Sequence, residues 1–101
     1  MEIRNGMRPV HPGEILSEDM HASGVTQDDL AQALDMRVDM VNSILEGREA
    51  ITADTALRLA RYLGTTPELW LNLQQTWELR VAEMAVGRKI AERVTPRQSA
   101  A

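Results

Sequence analysis

Apolar residues recur along the chain at spacings of three and four rather than two, and most of the runs lie between a capping residue and a glycine. That is the period of helices with one buried stripe. His11-Pro12-Gly13-Glu14 opens the first helix, with Pro12 suited to its N1 position and Glu14 to its first turn, where negative charge is favoured. Ile15, Leu16 and Met20 face inward, Glu18, Asp19 and His21 face water, and Gly24 supplies the stop. Thr26 is the next N-cap, Asp29 is a shortened capping-box acid, and Val25 and Leu30 form a hydrophobic staple. Leu30, Ala31 and Leu34 give this helix its buried stripe. Asp35 and Met36 interrupt it, and Val41, Ile44 and Leu45 supply a second stripe before Gly47.

The loop after Gly47 tucks Ile51 inward. Thr52 caps a helix whose apolar face is Ala56, Leu57, Leu59, Ala60 and Leu63, with Arg58 and Arg61 off most of that face and Gly64 as the stop. Thr66-Pro67-Glu68 is the strongest start signal, a cap followed by an N1 proline and an acid. It opens the longest helix, where Trp70, Leu73, Trp77, Val81 and Met84 make one continuous stripe and Leu69, Leu71 and Leu79 add apolar surface beyond it. Gly87 is a place for that helix to end or loosen, and residues 88–94 can extend it. A core this small uses only part of so much apolar surface, so the excess is expected to pack on another subunit, with burial against the chain's own first helix as the rival. The organisation expected is an N-terminal arm at 1–10, a helical domain at 11–86, and an extension with a polar tail at 87–101.

Residues 26–51 therefore read as helix, turn, helix and loop. In that arrangement the second helix can lie in a DNA major groove, although the same geometry also builds small cores without any nucleic acid. Composition agrees with an all-α chain. Its 101 residues make one domain, 44% are apolar, and the aromatics are only Tyr62, Trp70 and Trp77, which leaves an aliphatic, alanine-rich core. There is no cysteine, hence neither disulfide nor thiolate metal site. No apolar run approaches the ~20 residues of a membrane span, the N-terminal residues lack an apolar signal segment, and a cytoplasmic location with no membrane partner is expected.

Charge complicates the picture. The formal net charge is −4, whereas DNA-binding domains usually carry a basic footprint. Residues 1–50 hold four basic and ten acidic side chains, and the remainder holds seven basic and five acidic, so the helix-turn-helix lies in the acidic half. Catalysis has no support: the chain has no phosphate-cradling glycine loop, no HExxH and no metal-ligand cluster at motif spacing, and no cofactor is expected. His11 is expected to be a surface or capping residue and His21 to face solvent. The acids Asp28, Asp29, Asp35, Asp39, Glu46 and Glu49 read as solvated or capping groups.

HPGEIL at 11–16, TQDDLAQAL at 26–34 and, above all, ITADTALRLARYLGTTPELWLNLQQTWELR at 51–80 closely resemble the HigA/VapI-type antitoxins of the XRE (Cro/repressor-like) helix-turn-helix family. The resemblance covers roughly residues 9–84. It implies a five-helix, lambda-repressor-like domain with a long C-terminal helix. It also implies a homodimer that represses transcription from its own toxin–antitoxin promoter by binding double-stranded operator DNA, and a RelE-like toxin as partner.

Carried onto this chain, the resemblance makes residues 27–34 the scaffold helix and roughly residues 38–45 the recognition helix. Gln27 would contact a phosphate or a base edge, Arg37 a phosphate or guanine, and Asn42 an adenine edge. Ser43 could bond either base type, Val38 or Met40 could touch a thymine methyl, and Arg48 is a phosphate candidate. The departures from the family pattern fall in this same segment. Arg37, Val38, Asp39 and Met40 stand where relatives tend to have proline, arginine, serine and threonine, and Ser43 holds the place of a common second basic residue. Asp39 faces phosphates unless it accepts from a cytosine amino group. Two functions follow: a sequence-specific DNA-binding repressor and antitoxin, or a protein-interaction antitoxin that neutralises a ribonuclease toxin with little or no DNA binding.

Overall fold

Four of the five helices begin at a residue whose side chain accepts from a backbone amide of the first turn; the third helix is the exception. The computed structural model describes residues 8–98. The helices are α1 (Pro12–Ser23), α2 (Gln27–Leu34), α3 (Val38–Leu45), α4 (Ala53–Leu63) and α5 (Pro67–Arg93). Thr26, Thr52 and Thr66 each accept a hydrogen bond from an amide of the following turn, and the Asp29 carboxylate accepts from the Thr26 amide to complete a capping box. Each such cap is worth about 1 kcal/mol. Gly24 and Gly64 close α1 and α4 in the left-handed conformation, as expected of terminal glycines. Asp35 takes that conformation at the end of α2 with φ +56°, which turns the chain from α2 into α3 without a glycine.

The core is aliphatic with one indole. Leu16, Met20, Leu30, Ala31, Leu34, Val41, Ile44, Ile51, Ala56, Leu59 and Trp70 form a single buried cluster, and Val25, Met36, Leu45, Leu63, Leu71 and Leu73 pack at its margin. Trp70 keeps its indole N–H satisfied by donating to Thr65 Oγ1 at 2.9 Å. Gln74 is buried, accepts from the Ile51 amide at 2.8 Å and donates to Glu78 at 2.9 Å, so α5 secures the loop between α3 and α4.

Several expectations change. Ile15 and Leu57 are exposed, because the apolar arcs of α1 and α4 are wider than the surface their neighbours cover. The α5 stripe is buried at Trp70 and half-buried at Leu73 and Trp77, while Val81 and Met84 are exposed. Gly87 neither ends nor loosens the helix, which runs on to Arg93. At about 1.5 Å per residue, α5 is roughly 40 Å long, and its second half projects beyond the bundle. The molecule measures 53 × 29 × 25 Å. Packing within the bundle covers the first half of the α5 stripe, with Trp70, Leu71 and Leu73 at the core and Trp77 against His11, while Leu69, Leu79, Val81, Met84 and Ile90 remain exposed.

His11 is a cap, as expected, but not a surface residue. It is 3% exposed, and its Nδ1 accepts from the Gly13 amide at 2.9 Å. Its ring meets Trp77 edge to face, with centroids 4.7 Å apart. His21 is exposed. Of the N-terminal arm, residues 1–7 lie outside the described residues. Arg8 is tied to Glu14 at 2.7 Å, and Pro9 and Val10 line a groove against α5. Residues 94–98 of the tail are non-helical, and residues 99–101 lie outside the described part.

Candidate nucleic-acid interface

Helix α3 is held from behind by three contacts. Val41 and Ile44 are buried and Leu45 partly so, which fixes one side of α3 in the core. At the end of α3, Gly13 of α1 comes so close that a β-carbon there would lie 1.9 Å from the Ile44 carbonyl oxygen. The turn before it is braced by Arg58 of α4, whose Nη1 donates to the carbonyls of Leu34 and Asp35, both at 2.9 Å, while its Nε donates to Asp54 at 2.5 Å. Arg58 thus satisfies the last carbonyls of α2 with a cation, the charge that a helix C-terminus favours. Arg58 was expected merely to lie off the apolar face of α4. The i,i+4 spacing of Asp54 and Arg58 was the available signal for one of its bonds, but its partners in α2 are more than twenty residues away.

What remains of α3 is presented outward. Val38, Asp39 and Met40 are exposed, and Asn42 and Ser43 are half-buried beside the core side. Helical spacing puts Asp39 and Ser43 near the middle of the outer face, with Met40 and Asn42 flanking them. Met40 is 40% exposed, which removes it from the core. Gln27 is exposed at the first position of α2, and Arg37 occupies the N-cap position of α3 without a side-chain capping bond. Arg48 is brought to the end of the same helix, because its amide donates to the Ser43 carbonyl at 2.8 Å.

Both arginines of this surface are already engaged. The Arg37 guanidinium grips Asp39, with Nη2 3.0 Å from Oδ2 and Nε 3.3 Å from Oδ1, while Asp39 Oδ1 also accepts from the Met40 amide at 3.1 Å. Arg48 is paired with Glu46 in the same way. These pairs are exposed, so each stabilises the fold by at most about 1 kcal/mol and is readily exchanged for a stronger partner. Asn42 Oδ1 is buried and has no hydrogen-bond partner among the described residues. An unmet amide acceptor costs on the order of 1–3 kcal/mol. Elsewhere on the scaffold, Asp29 is held below the usual carboxylate range by its bonds to the Thr26 amide and hydroxyl, as befits an acid at a helix N-terminus.

Among the described residues, no group of three or more His, Cys, Asp or Glu side chains could hold a metal ion, and no helix is long and apolar enough to cross a membrane. A short scaffold helix, a left-handed turn and an outward-facing second helix, clamped by α1 and α4, define a helix-turn-helix unit.

Comparison with known proteins narrows that class. The helix-turn-helix family model matches residues 20–70. Virulence-associated protein I of Dichelobacter nodosus is 43% identical over 81 residues, which cover 79% of this chain and 75% of that protein. An addiction module antidote protein of the HigA family from Coxiella burnetii superposes with a TM-score of 0.87 at 48% identity, over 90% of this chain and all of that one. The antitoxin GraA in complex with its operator superposes with a TM-score of 0.86 at 45% identity, over 97% of this chain and all of that one. The chain belongs to the HigA-like antitoxins of the helix-turn-helix family.

Proposed function

We propose that this protein is a sequence-specific repressor that binds the operator of its own promoter and serves as the antitoxin of a toxin–antitoxin pair. The observation that carries the reading is the outward presentation of Val38, Asp39, Met40, Asn42 and Ser43 on a scaffold that superposes on GraA in complex with its operator. In this reading α3 enters the major groove. Gln27 and Arg48 contact phosphates, Arg37 leaves Asp39 for a phosphate or guanine, and Asn42 pairs with an adenine edge. Ser43 bonds a base edge, Val38 and Met40 meet thymine methyls, and Asp39, once released, accepts from a cytosine amino group.

A dimer supplies the second half-site. The second copy is expected to cover the apolar side of α5, because Leu69, Met84 and Ile90 are 42%, 68% and 50% exposed and continue in helical register past the end of the bundle. The expected partner besides DNA is a RelE-like toxin, whose basic surface the acidic N-terminal half would complement.

The second reading, a toxin-binding antitoxin that does not read DNA, is favoured by one observation: both arginines on the outer surface are neutralised by their own neighbours. Titration of the protein with its upstream DNA, beside scrambled DNA of the same length, separates the two. Preference for the upstream sequence that weakens in R37A and N42A supports repression. Equal binding to both DNAs rejects it, and a complex with the adjacent-gene product would then favour the second reading.

A further inference from the structure

His11 joins four parts of the molecule at one point. Its Nδ1 caps α1, its backbone amide donates to Glu14 at 3.3 Å, and its ring seats on Trp77 of α5. On another side, the ring lies within van der Waals distance of where a β-carbon on Gly47 would stand, in the turn that ends α3. The arm enters through Arg8, which bridges to Glu14, and through Pro9 and Val10, which line a groove of about 510 Å³ together with Trp77. Two residues after His11, Gly13 packs on the Ile44 carbonyl of the reading helix.

This site depends on an uncharged ring. A cap must accept at Nδ1, and a protonated imidazole has no acceptor there. Protonation also sets a cation at the positive end of the α1 dipole. Of the charged groups around the ring, Glu14 of α1, itself paired with Arg8 of the arm, and Glu78 of α5 pull the other way, while Glu46 and Arg48, which flank Gly47, are paired with each other. Glu14 and Glu78 would welcome an imidazolium, but the capping geometry cannot hold one.

We propose that His11 is a proton-operated clasp: neutral, it fastens the arm, α1 and α5 behind the reading helix, and protonated, it leaves the cap for the neighbouring carboxylates and frees the arm from α5. Loss of the clasp lets α1 withdraw from the end of α3 and weakens operator binding, a consequence that rests on the DNA-binding reading above. Burial holds the imidazole below its ordinary value of 6.5, with Glu14 and Glu78 opposing. The stability contributed by the neutral ring is therefore complete above the unfolded-state value and is lost as the pH falls below it towards the native-state value. The Glu14 carboxyl, held below its ordinary 4.5 chiefly by its hydrogen bond from Arg8, loses its contribution only in a more acidic range, so the two effects separate.

The test follows the His11 ring, the Gly13 amide and the Trp77 indole by NMR in the full chain from about pH 8 to about pH 5, with operator affinity measured near the two ends. The expected result is one transition shared by all three signals. Operator affinity should fall about tenfold, the order expected for losing one N-cap bond and placing a cation at a helix N-terminus. His11→Asn, which caps without titrating, should abolish the transition and the fall in affinity, while His21→Gln should leave both in place. Titration of the His11 ring without a response from Gly13 and Trp77 would overturn the clasp, as would an unchanged transition in H11N. If H11N does not fold, the signals of the unsubstituted protein decide alone. A shared transition in a protein that shows no operator preference near pH 8 would keep the clasp and reject the DNA-binding reading.

Discussion

In the proposed reading, recognition turns on Asp39 and Arg37. An acid near the middle of the outer face of a reading helix repels phosphates, yet here it is held by a guanidinium two residues away. Binding must exchange that pair for contacts to DNA, so the acid tempers nonspecific affinity and the arginine becomes available only when something better is offered. Asp39→Asn is expected to raise affinity for scrambled DNA roughly three- to tenfold, from removal of about 1 kcal/mol of repulsion and release of Arg37, and to narrow the margin for the operator. Filter binding on both DNAs measures this. Asn42→Ala should cost the operator complex about 1–3 kcal/mol while leaving scrambled binding nearly unchanged, whereas Arg48→Ala should weaken both alike and flatten the salt dependence by about one unit. None of these exposed or half-exposed sites should move the melting temperature by more than a few degrees.

The elements hold the recognition face through a few close approaches. Gly13 has no side chain because the carbonyl of Ile44 occupies the space. Gly13→Ala should push α1 from α3 and destabilise the fold by roughly 2–3 kcal/mol, on the order of a 10 °C fall in Tm by calorimetry. Arg58→Met, which keeps the aliphatic stem and removes three hydrogen bonds, should destabilise the fold and loosen the turn between α2 and α3, visible as faster amide exchange at its residues.

The helix starts were legible in the chain because caps are local: Thr26, Thr52 and Thr66 bond amides within three residues of themselves. Periodicity also located Leu30, Leu34, Val41 and Ile44 in the core. It could not tell that Ile15, Leu57 and Met84 stay exposed, since a wide apolar arc does not reveal how much of itself a neighbour covers. Arg58 and Gln74 were opaque for a different reason, namely that the groups they satisfy lie more than twenty residues away. The position of α3 as an outward-facing helix followed from the pattern and the resemblance. The pairing of its arginines with their own neighbours required the geometry.

At the scale of the whole molecule, a chain of net charge −4 meets a polyanion with its acidic half foremost. Affinity must then come from a few directed contacts, doubled by symmetry, rather than from a broad basic surface. Ile90→Glu on the projecting half of α5 should leave the monomer folded, since this side chain is 50% exposed, but should shift sedimentation from dimer to monomer and weaken operator binding. The central claim is tested most directly by titrating the protein with its upstream DNA and with a scrambled duplex across a range of salt. The account predicts a preference of about 10³-fold or more for the upstream sequence, with a shallow salt dependence that reflects few phosphate contacts. Equal affinity for the two duplexes at moderate salt would contradict it.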